Sequence, residues 1–201
     1  MIERLAQVAR RPVSRETFEK VDAYVALLRE EARRQNLIAE STFDHLWDRH
    51  ILDSAQLVRF ESGSGASWAD IGSGAGLPGI VVACLVGGPV TLIEPRRLRA
   101  EFLHNVCESL RINATVFLGK AERARGKYDV ITGRAVAGLT QFLKISAHLS
   151  TRNSLWVLPK GRTAMEELVE AQRTWQGEFH VEQSVIDADS QIVVATGVRA
   201  K

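Results

Sequence analysis

Hydrophobic and polar positions divide the chain into two textures. In the first sixty residues apolar side chains recur every three to four positions. Phe18, Val21, Val25 and Leu28 mark one stripe, with Arg15, Glu19, Arg29 and Arg33 on the other faces, and Trp47, Ile51, Ala55 and Val58 mark a second. That period predicts amphipathic helices and no strand. Asn36 is expected to end the first of these helices and Ser41 or Thr42 to cap the next. The run Glu61-Ser62-Gly63-Ser64-Gly65-Ala66-Ser67 reads as a short flexible connection.

From Trp68 onward the pattern changes. Runs at residues 68–71, 90–94, 114–118, 128–132, 154–158, 179–186 and 191–198 predict strands, and helical segments are expected between and after the first five, at 78–86, 97–110, 139–149 and 163–175. Strands alternating with helices argue for a parallel sheet covered on both faces. Only Asp187-Ala188-Asp189-Ser190 separates the last two strands, too little chain for a crossover, so these predict an antiparallel hairpin. The expected fold is α/β and Rossmann-like: a mostly parallel seven-stranded sheet with a C-terminal antiparallel hairpin over residues 63–201. A helical extension over residues 1–62 is expected to pack on it.

Composition narrows the class. A chain of 201 residues can bury a full core. Its start, Met1-Ile2-Glu3-Arg4-Leu5-Ala6-Gln7, lacks the apolar core of a signal peptide, and the longest apolar run, 77–90, is broken by glycine and proline and falls short of the roughly 20 residues of a membrane span. A cytoplasmic protein without membrane contact is expected. Cys84 and Cys107 lie in apolar, helix-like surroundings, which argues against a disulfide framework. Net charge is only +2, but the basic residues are 20 arginines and 6 lysines. That bias suits phosphate and base edges, or reflects a GC-rich genome.

Four glycines fall within Trp68-Ala69-Asp70-Ile71-Gly72-Ser73-Gly74-Ala75-Gly76-Leu77-Pro78-Gly79, between a predicted strand and a predicted helix. Glycines admit a ligand close to the main chain and adopt positive φ without penalty. Amides at a helix N-terminus are expected to face outward unpaired and to favour negative charge. Gly74-Ala75-Gly76-Leu77-Pro78-Gly79 matches G-x-G-x-x-G, with Glu94 twenty residues after Gly74 at the end of the next strand, where a ribose-binding acid belongs. A dinucleotide usually spans two βαβαβ halves, whereas this chain has one glycine loop and ends in a hairpin. Asp70 would repel a pyrophosphate, yet it suits an ammonium group. S-adenosylmethionine carries an amino acid, a sulfonium and a ribose, which Asp70, the loop and Glu94 match in order. The combined pattern resembles the class I methyltransferases.

A closer resemblance rests on six segments in order. They are Asn36-Leu37; Leu46-Trp47-Asp48-Arg49-His50-Ile51-Leu52-Asp53-Ser54; Asp70 through Ile80; Arg99-Ala100-Glu101-Phe102-Leu103; Thr132-Gly133-Arg134-Ala135; and Pro159-Lys160-Gly161. Together they resemble the bacterial ribosomal small-subunit methyltransferase G family. The resemblance implies methylation of guanine N7 in a 16S rRNA loop near the decoding region, with S-adenosylmethionine as donor. The implied partner is an assembling or assembled small subunit, with no obligate protein partner evident. It also implies that Gly72 and Leu77 touch the donor beside Ser73, Gly74 and Gly76, that Ala121 and Glu122 flank its adenine, and that Arg134 lines the site.

Guanine N7 carries an available lone pair at neutral pH, so its methylation needs alignment and no general base. No acid–base catalyst is therefore expected, with Arg134 and His50 as orienting groups. Arg134 either meets the donor carboxylate or a phosphate, or closes an internal ion pair. Lys160, on the loop after the fifth strand, either holds RNA phosphate or is a solvated lysine. Arg49 and His50 either meet RNA and roof the pocket or belong to a hydrogen-bonded cluster with Asp48 and Asp53. Arg97 and Arg99, with Arg96, Arg10, Arg11, Arg15, Arg33 and Arg34, form a basic rim for RNA or are scattered and solvated. Glu101 and His104 are expected to pair. The five histidines show no ligand spacing, so no metal is expected. Neither cysteine lies in a Pro-Cys motif, which disfavours pyrimidine C5 chemistry, and Gly133-Arg134-Ala135-Val136 is unlike the aromatic tetrapeptide of adenine N6 enzymes. A nicotinamide-dependent oxidoreductase and a non-enzymatic RNA-binding factor are the competing readings.

Overall fold

The computed structural model describes residues 1–35, 37–38, 45–61, 63 and 65–201; the capping roles expected of Asn36, Ser41 and Thr42 fall outside the described residues. Two helices open the chain, α1 (Ile2–Ala9) and α2 (Arg15–Glu31). Ser14 caps α2 by accepting the Thr17 amide at 3.0 Å, and the expected stripe buries Val21, Val25 and Leu28, with Tyr24 beside them. The second stripe is helical but irregular. It starts as a π-helix over Trp47–Leu52, passes through α3 (Asp53–Ala55) and tightens to a 3-10 turn over Gln56–Phe60.

The sheet contains β1 (Trp68–Ile71), β2 (Val90–Glu94), β3 (Ala114–Leu118), β4 (Val130–Thr132), β5 (Leu155–Lys160), β6 (Trp175–Gln183) and β7 (Gln191–Ala200), in the order β3-β2-β1-β4-β5-β7-β6. The pairs from β3 to β5 are parallel, while β7 runs antiparallel to both β5 and β6. The first three strands and α5 (Arg97–Leu110) have the predicted bounds. Elsewhere tertiary pairing moves the edges. Residues 175–178, expected at a helix end and in a connection, are instead strand, because Trp175 and Gln176 pair with Ala200 and Arg199 across the hairpin. The helix before them is correspondingly short, α7 (Ala164–Ala171). β5 extends to Lys160, which pairs with Gln191, rather than giving way to a loop.

Two apolar layers enclose the sheet. One face packs α1, α2, the 47–60 run, α4 (Gly79–Leu85) and α5 around Tyr24, Leu28, Trp68, Ile80 and Leu103. The other packs α6 (Leu139–Ser146) and α7 around Phe142, Trp156 and Leu168. The N-terminal helices thus share a core with the sheet. Arg11 adds a polar tie, donating to Val58 O at 2.7 Å, Leu85 O at 3.2 Å and Glu61 Oε2 at 2.9 Å. It is an internal strut and not part of a basic rim.

Candidate functional site

Strand order reverses at β1: the chain winds outward through β2 and β3 on one side and through β4 and β5 on the other. In an open α/β sheet ligands collect beyond the strand C-termini at such a switch point. The glycine loop follows β1 there, and Arg134 follows β4.

The loop is held differently from the expectation of outward, unpaired amides. The Gly72 and Ser73 amides both donate to Ile93 O, at 2.8 and 3.0 Å, Gly74 N donates to Glu94 Oε2 at 2.7 Å, and Gly76 N to Ser73 O at 2.7 Å. Satisfying these donors internally fixes the loop's shape and leaves its bare Cα surfaces for contact. Gly72, Gly74 and Gly76 have φ of 67°, 57° and 95°. At Gly74 a Cβ would make only ordinary contacts, with Arg99 Nη1 at 3.6 Å and Gly72 O at 3.7 Å. At Gly79 a Cβ would collide with Leu92 Cδ2 and Asp70 Oδ2, so that glycine lets α4 lie against the sheet.

Asp70 is fully buried beneath the loop. Its Oδ2 accepts the Gly79 amide at 3.1 Å, while Oδ1 is buried without a partner. Burial pushes its pKa up to about 7, against the lowering effect of bonds from Ser73 and Gly79. The Ser73 hydroxyl turns inward to Asp70 O at 3.0 Å, and the Leu77 side chain is buried in the core. Glu94 spans two elements: Oε2 holds Gly74 N and Oε1 holds Arg96 N at 2.8 Å. Ala121, buried, and Glu122, exposed, lie on a 3-10 turn after β3, beyond the same sheet edge. From the opposite side Tyr24, fully buried on α2, donates to Ala75 O at 2.9 Å. An uncrowded Gly74, an orphaned buried carboxylate oxygen and a strand-end carboxylate fit the amino-acid and ribose parts of S-adenosylmethionine.

Across the switch point, residues after β4 pack on this loop: a Cβ on Gly72 would lie 2.8 Å from Val136 Cγ2. Ala135 sits in the left-handed region at φ 56°, a strained conformation for a non-glycine residue. Beyond them opens a cavity of about 520 Å³ whose walls include Arg49, Asp53, Arg134, Lys160, Glu167 and Gln191. Arg134 Nη1 approaches Asp53 Oδ2 at 3.4 Å and Arg49 O at 3.5 Å, so the internal ion pair is the arrangement found. Burial raises the Asp53 pKa, with Arg134 and Gln56 opposing the shift. His50 is held neutral: its pKa falls to about 4, chiefly through burial and then through repulsion by Arg134 and Arg49. Lys160 is not a solvated loop lysine. Its Nζ donates to Glu167 Oε2 at 2.9 Å and Ala137 O at 3.1 Å, tying β5 to α7 and to the loop after β4.

The remaining candidates disperse. Arg97 is exposed and bonds Glu101 at 2.7 Å, while His104 pairs with Glu108 at 3.3 Å and not with Glu101. Arg15 pairs with Glu19 on α2, and Arg34, past the end of that helix, pairs with Glu30. Arg99 lies beside Gly74, on the donor side. Gln56 joins the site with no signal in the sequence. Fully buried, it donates to Asp53 Oδ1 at 2.8 Å and Ser184 Oγ at 3.0 Å and accepts Val185 N at 3.0 Å, coupling the Arg134 partner to the hairpin. Asp53 itself sits in the quoted Arg-His-Ile-Leu-Asp-Ser segment, which was the available signal. Among the described residues there is no cluster of three His, Cys, Asp or Glu side chains able to hold a metal ion, and no helix is long and apolar enough to cross a membrane.

The family profile described as rRNA small subunit methyltransferase G matches residues 17–193. The chain is 45% identical over 198 residues to a ribosomal RNA small subunit methyltransferase G of Zymomonas mobilis, covering 94% of this chain and 90% of that protein. It is 47% identical to one of Novosphingobium aromaticivorans, covering 85% and 76%. Among solved structures it is similar to a TehB-like SAM-dependent methyltransferase from Corynebacterium glutamicum, with TM-score 0.58, 16% identity and coverage of 86% and 98%. It is also similar to M. jannaschii TYW2 in complex with AdoMet, with TM-score 0.56, 14% identity and coverage of 76% of each chain. At these identities the structural likeness speaks for the fold.

Proposed function

The chain belongs to the rRNA small subunit methyltransferase G family, and from that premise we propose that it methylates guanine N7 in 16S rRNA. The RNA is presented by an assembling or assembled small subunit in the cytoplasm. Residues 1–62 serve as a helical extension and 63–201 as the donor-binding domain.

One observation carries the reading: a braced glycine loop after β1 abuts, through Gly72 and Val136, an arginine-lined cavity after β4. Bound on that loop, S-adenosylmethionine supplies an electrophilic methyl group on a sulfonium. Gly72, Ser73, Gly74, Gly76 and Leu77 form its cradle, Glu94 receives the ribose hydroxyls, and Ala121 and Glu122 flank the adenine. Arg134, steadied by Asp53, and neutral His50 orient the groups that meet in the cavity, with Arg49 on its RNA side. Arg134 touches the donor carboxylate or a phosphate, because a fork onto the guanine edge would occupy N7. Orientation and exclusion of water supply the acceleration. A cysteine nucleophile is not part of the chemistry: burial pushes the Cys84 and Cys107 thiols up to about 12 and about 11.

The test is tritium transfer from methyl-labelled S-adenosylmethionine to small-subunit RNA, alongside cofactor titrations. Label on RNA and saturable donor binding support the reading. Binding of NADH without binding of S-adenosylmethionine would replace it with an oxidoreductase.

A further inference from the structure

A second basic cavity lies away from the donor loop. It encloses about 390 Å³ between Arg4 of α1, Arg10 just past the end of α1, and Arg59 of the 3-10 turn, with Val8, Val185 and Ile186 as apolar walls. Ile186 also lines a hollow of about 410 Å³ with Asp48, Arg49, His50 and Asp53. That hollow shares Arg49 and Asp53 with the main cavity. The hollow thus borders both, meeting the main cavity at Arg49 and Asp53 and the basic cavity at Ile186.

Arg59 is the unusual member. Its side chain is 8% exposed and its guanidinium lies 4.8 Å from the Phe60 ring centroid, yet its nearest carboxylate, on Glu182, is 3.9 Å away. Among the described residues its N–H groups make no hydrogen bond. A desolvated guanidinium with five donors and so little return is a destabilising arrangement unless an anion completes it. Burial and the neighbouring charge of Arg10 both lower the Arg59 pKa. Arg10 is exposed at φ 51° and pairs with no carboxylate among the described residues. Arg4 is matched by Asp48 at 2.5 Å. Three guanidiniums thus line this cavity, while the two carboxylates within ion-pair distance of them, Asp48 and Glu182, are not part of its lining.

We propose that Arg4, Arg10 and Arg59 form a phosphate site that holds the backbone of the RNA strand leaving the acceptor cavity. The proposal rests on the RNA reading above. A phosphodiester supplies several acceptor oxygens to converging guanidiniums, and the apolar walls at Val185, 54% exposed, and Ile186 suit the sugar beside it. A contact of this kind positions the strand without reading its sequence.

Two measurements separate this site from the reading it rests on. In the first, arginine Nε–H NMR signals of the full chain are followed during titration with inorganic phosphate. A saturable shift of the Arg59 signal that is weakened in the exposed-site variant Arg10→Gln supports the site, and no shift overturns it whether or not RNA is methylated. In the second, steady-state methyl transfer to small subunits is compared for wild type, Arg10→Gln and Arg59→Gln, with urea midpoints confirming that each is folded. The expected result is a KM for subunits raised about tenfold, a salt slope shallower by about one and an unmoved donor dissociation constant. A phosphate-dependent shift with unchanged KM and slope would overturn the RNA assignment in favour of a free oxyanion.

Discussion

The two sides of the crevice are built by different means. The β1–α4 side is a contiguous stretch of chain braced by itself and by the end of the neighbouring β2: Ile93 O, Glu94 and Asp70 take the amides of Gly72, Ser73, Gly74 and Gly79. The cavity side is assembled from five segments, and its ionic groups, Arg134 with Asp53 and Lys160 with Glu167, each join different ones. Changes on the first side should therefore act through stability or donor affinity, and changes on the second through turnover.

The sharpest break is Gly79→Val. Its side chain would collide with Leu92 and Asp70 where α4 meets β1, and overpacking a well-filled site costs up to about 3 kcal/mol, occasionally more. A urea midpoint near that of wild type would show that the contact is not tight. On the cavity side, Arg134→Gln leaves the urea midpoint nearly unchanged and lowers methyl transfer about 100-fold through misalignment. Full activity in that variant would remove Arg134 from the orienting groups.

The comparison is sharpened by pH. Burial raises the Asp70 carboxyl to about 7 from an ordinary 3.8, so the folded chain keeps a proton that the unfolded chain releases between those values. The stability from this group is complete below about pH 4 and declines as pH rises to about 7. Asp70→Asn should flatten that decline, read as urea midpoints at pH 5 and pH 8. A decline of equal steepness in the variant would assign it to other groups. The smallest effect expected is that of Tyr24→Phe, which removes one hydrogen bond to Ala75 O. A loss of about 1 kcal/mol would weaken donor affinity about fivefold by calorimetry, leaving the KM for RNA in place. Unchanged donor affinity would make Tyr24 a core residue only.

The same contrast explains what could be read from the sequence. β1, β2, β3 and α5 have the expected bounds because alternation, glycine and a strand-end acid are local signals. The cavity side was legible only as scattered residues. Lys160 reads as a loop lysine until β7 pairs with it, and Gln56 carries no signal for a partner 128 positions away at Ser184. The loop amides carry no local signal of their partner either, since Ile93 O takes two of them from the neighbouring strand. Trp175 and Gln176 became strand through their hairpin partners.

Mapping of borohydride–aniline cleavage in 16S rRNA, which reports N7-methylguanine, tests most directly whether the braced loop delivers a methyl group into the cavity. Small subunits lacking the modification are treated with wild type or with Gly74→Arg, which puts a long side chain on the loop at a position with φ of 57° and Arg99 beside it. The account expects one new cleavage site with wild type and none with the variant. An unmodified RNA under wild type, or equal cleavage with both proteins, would contradict it.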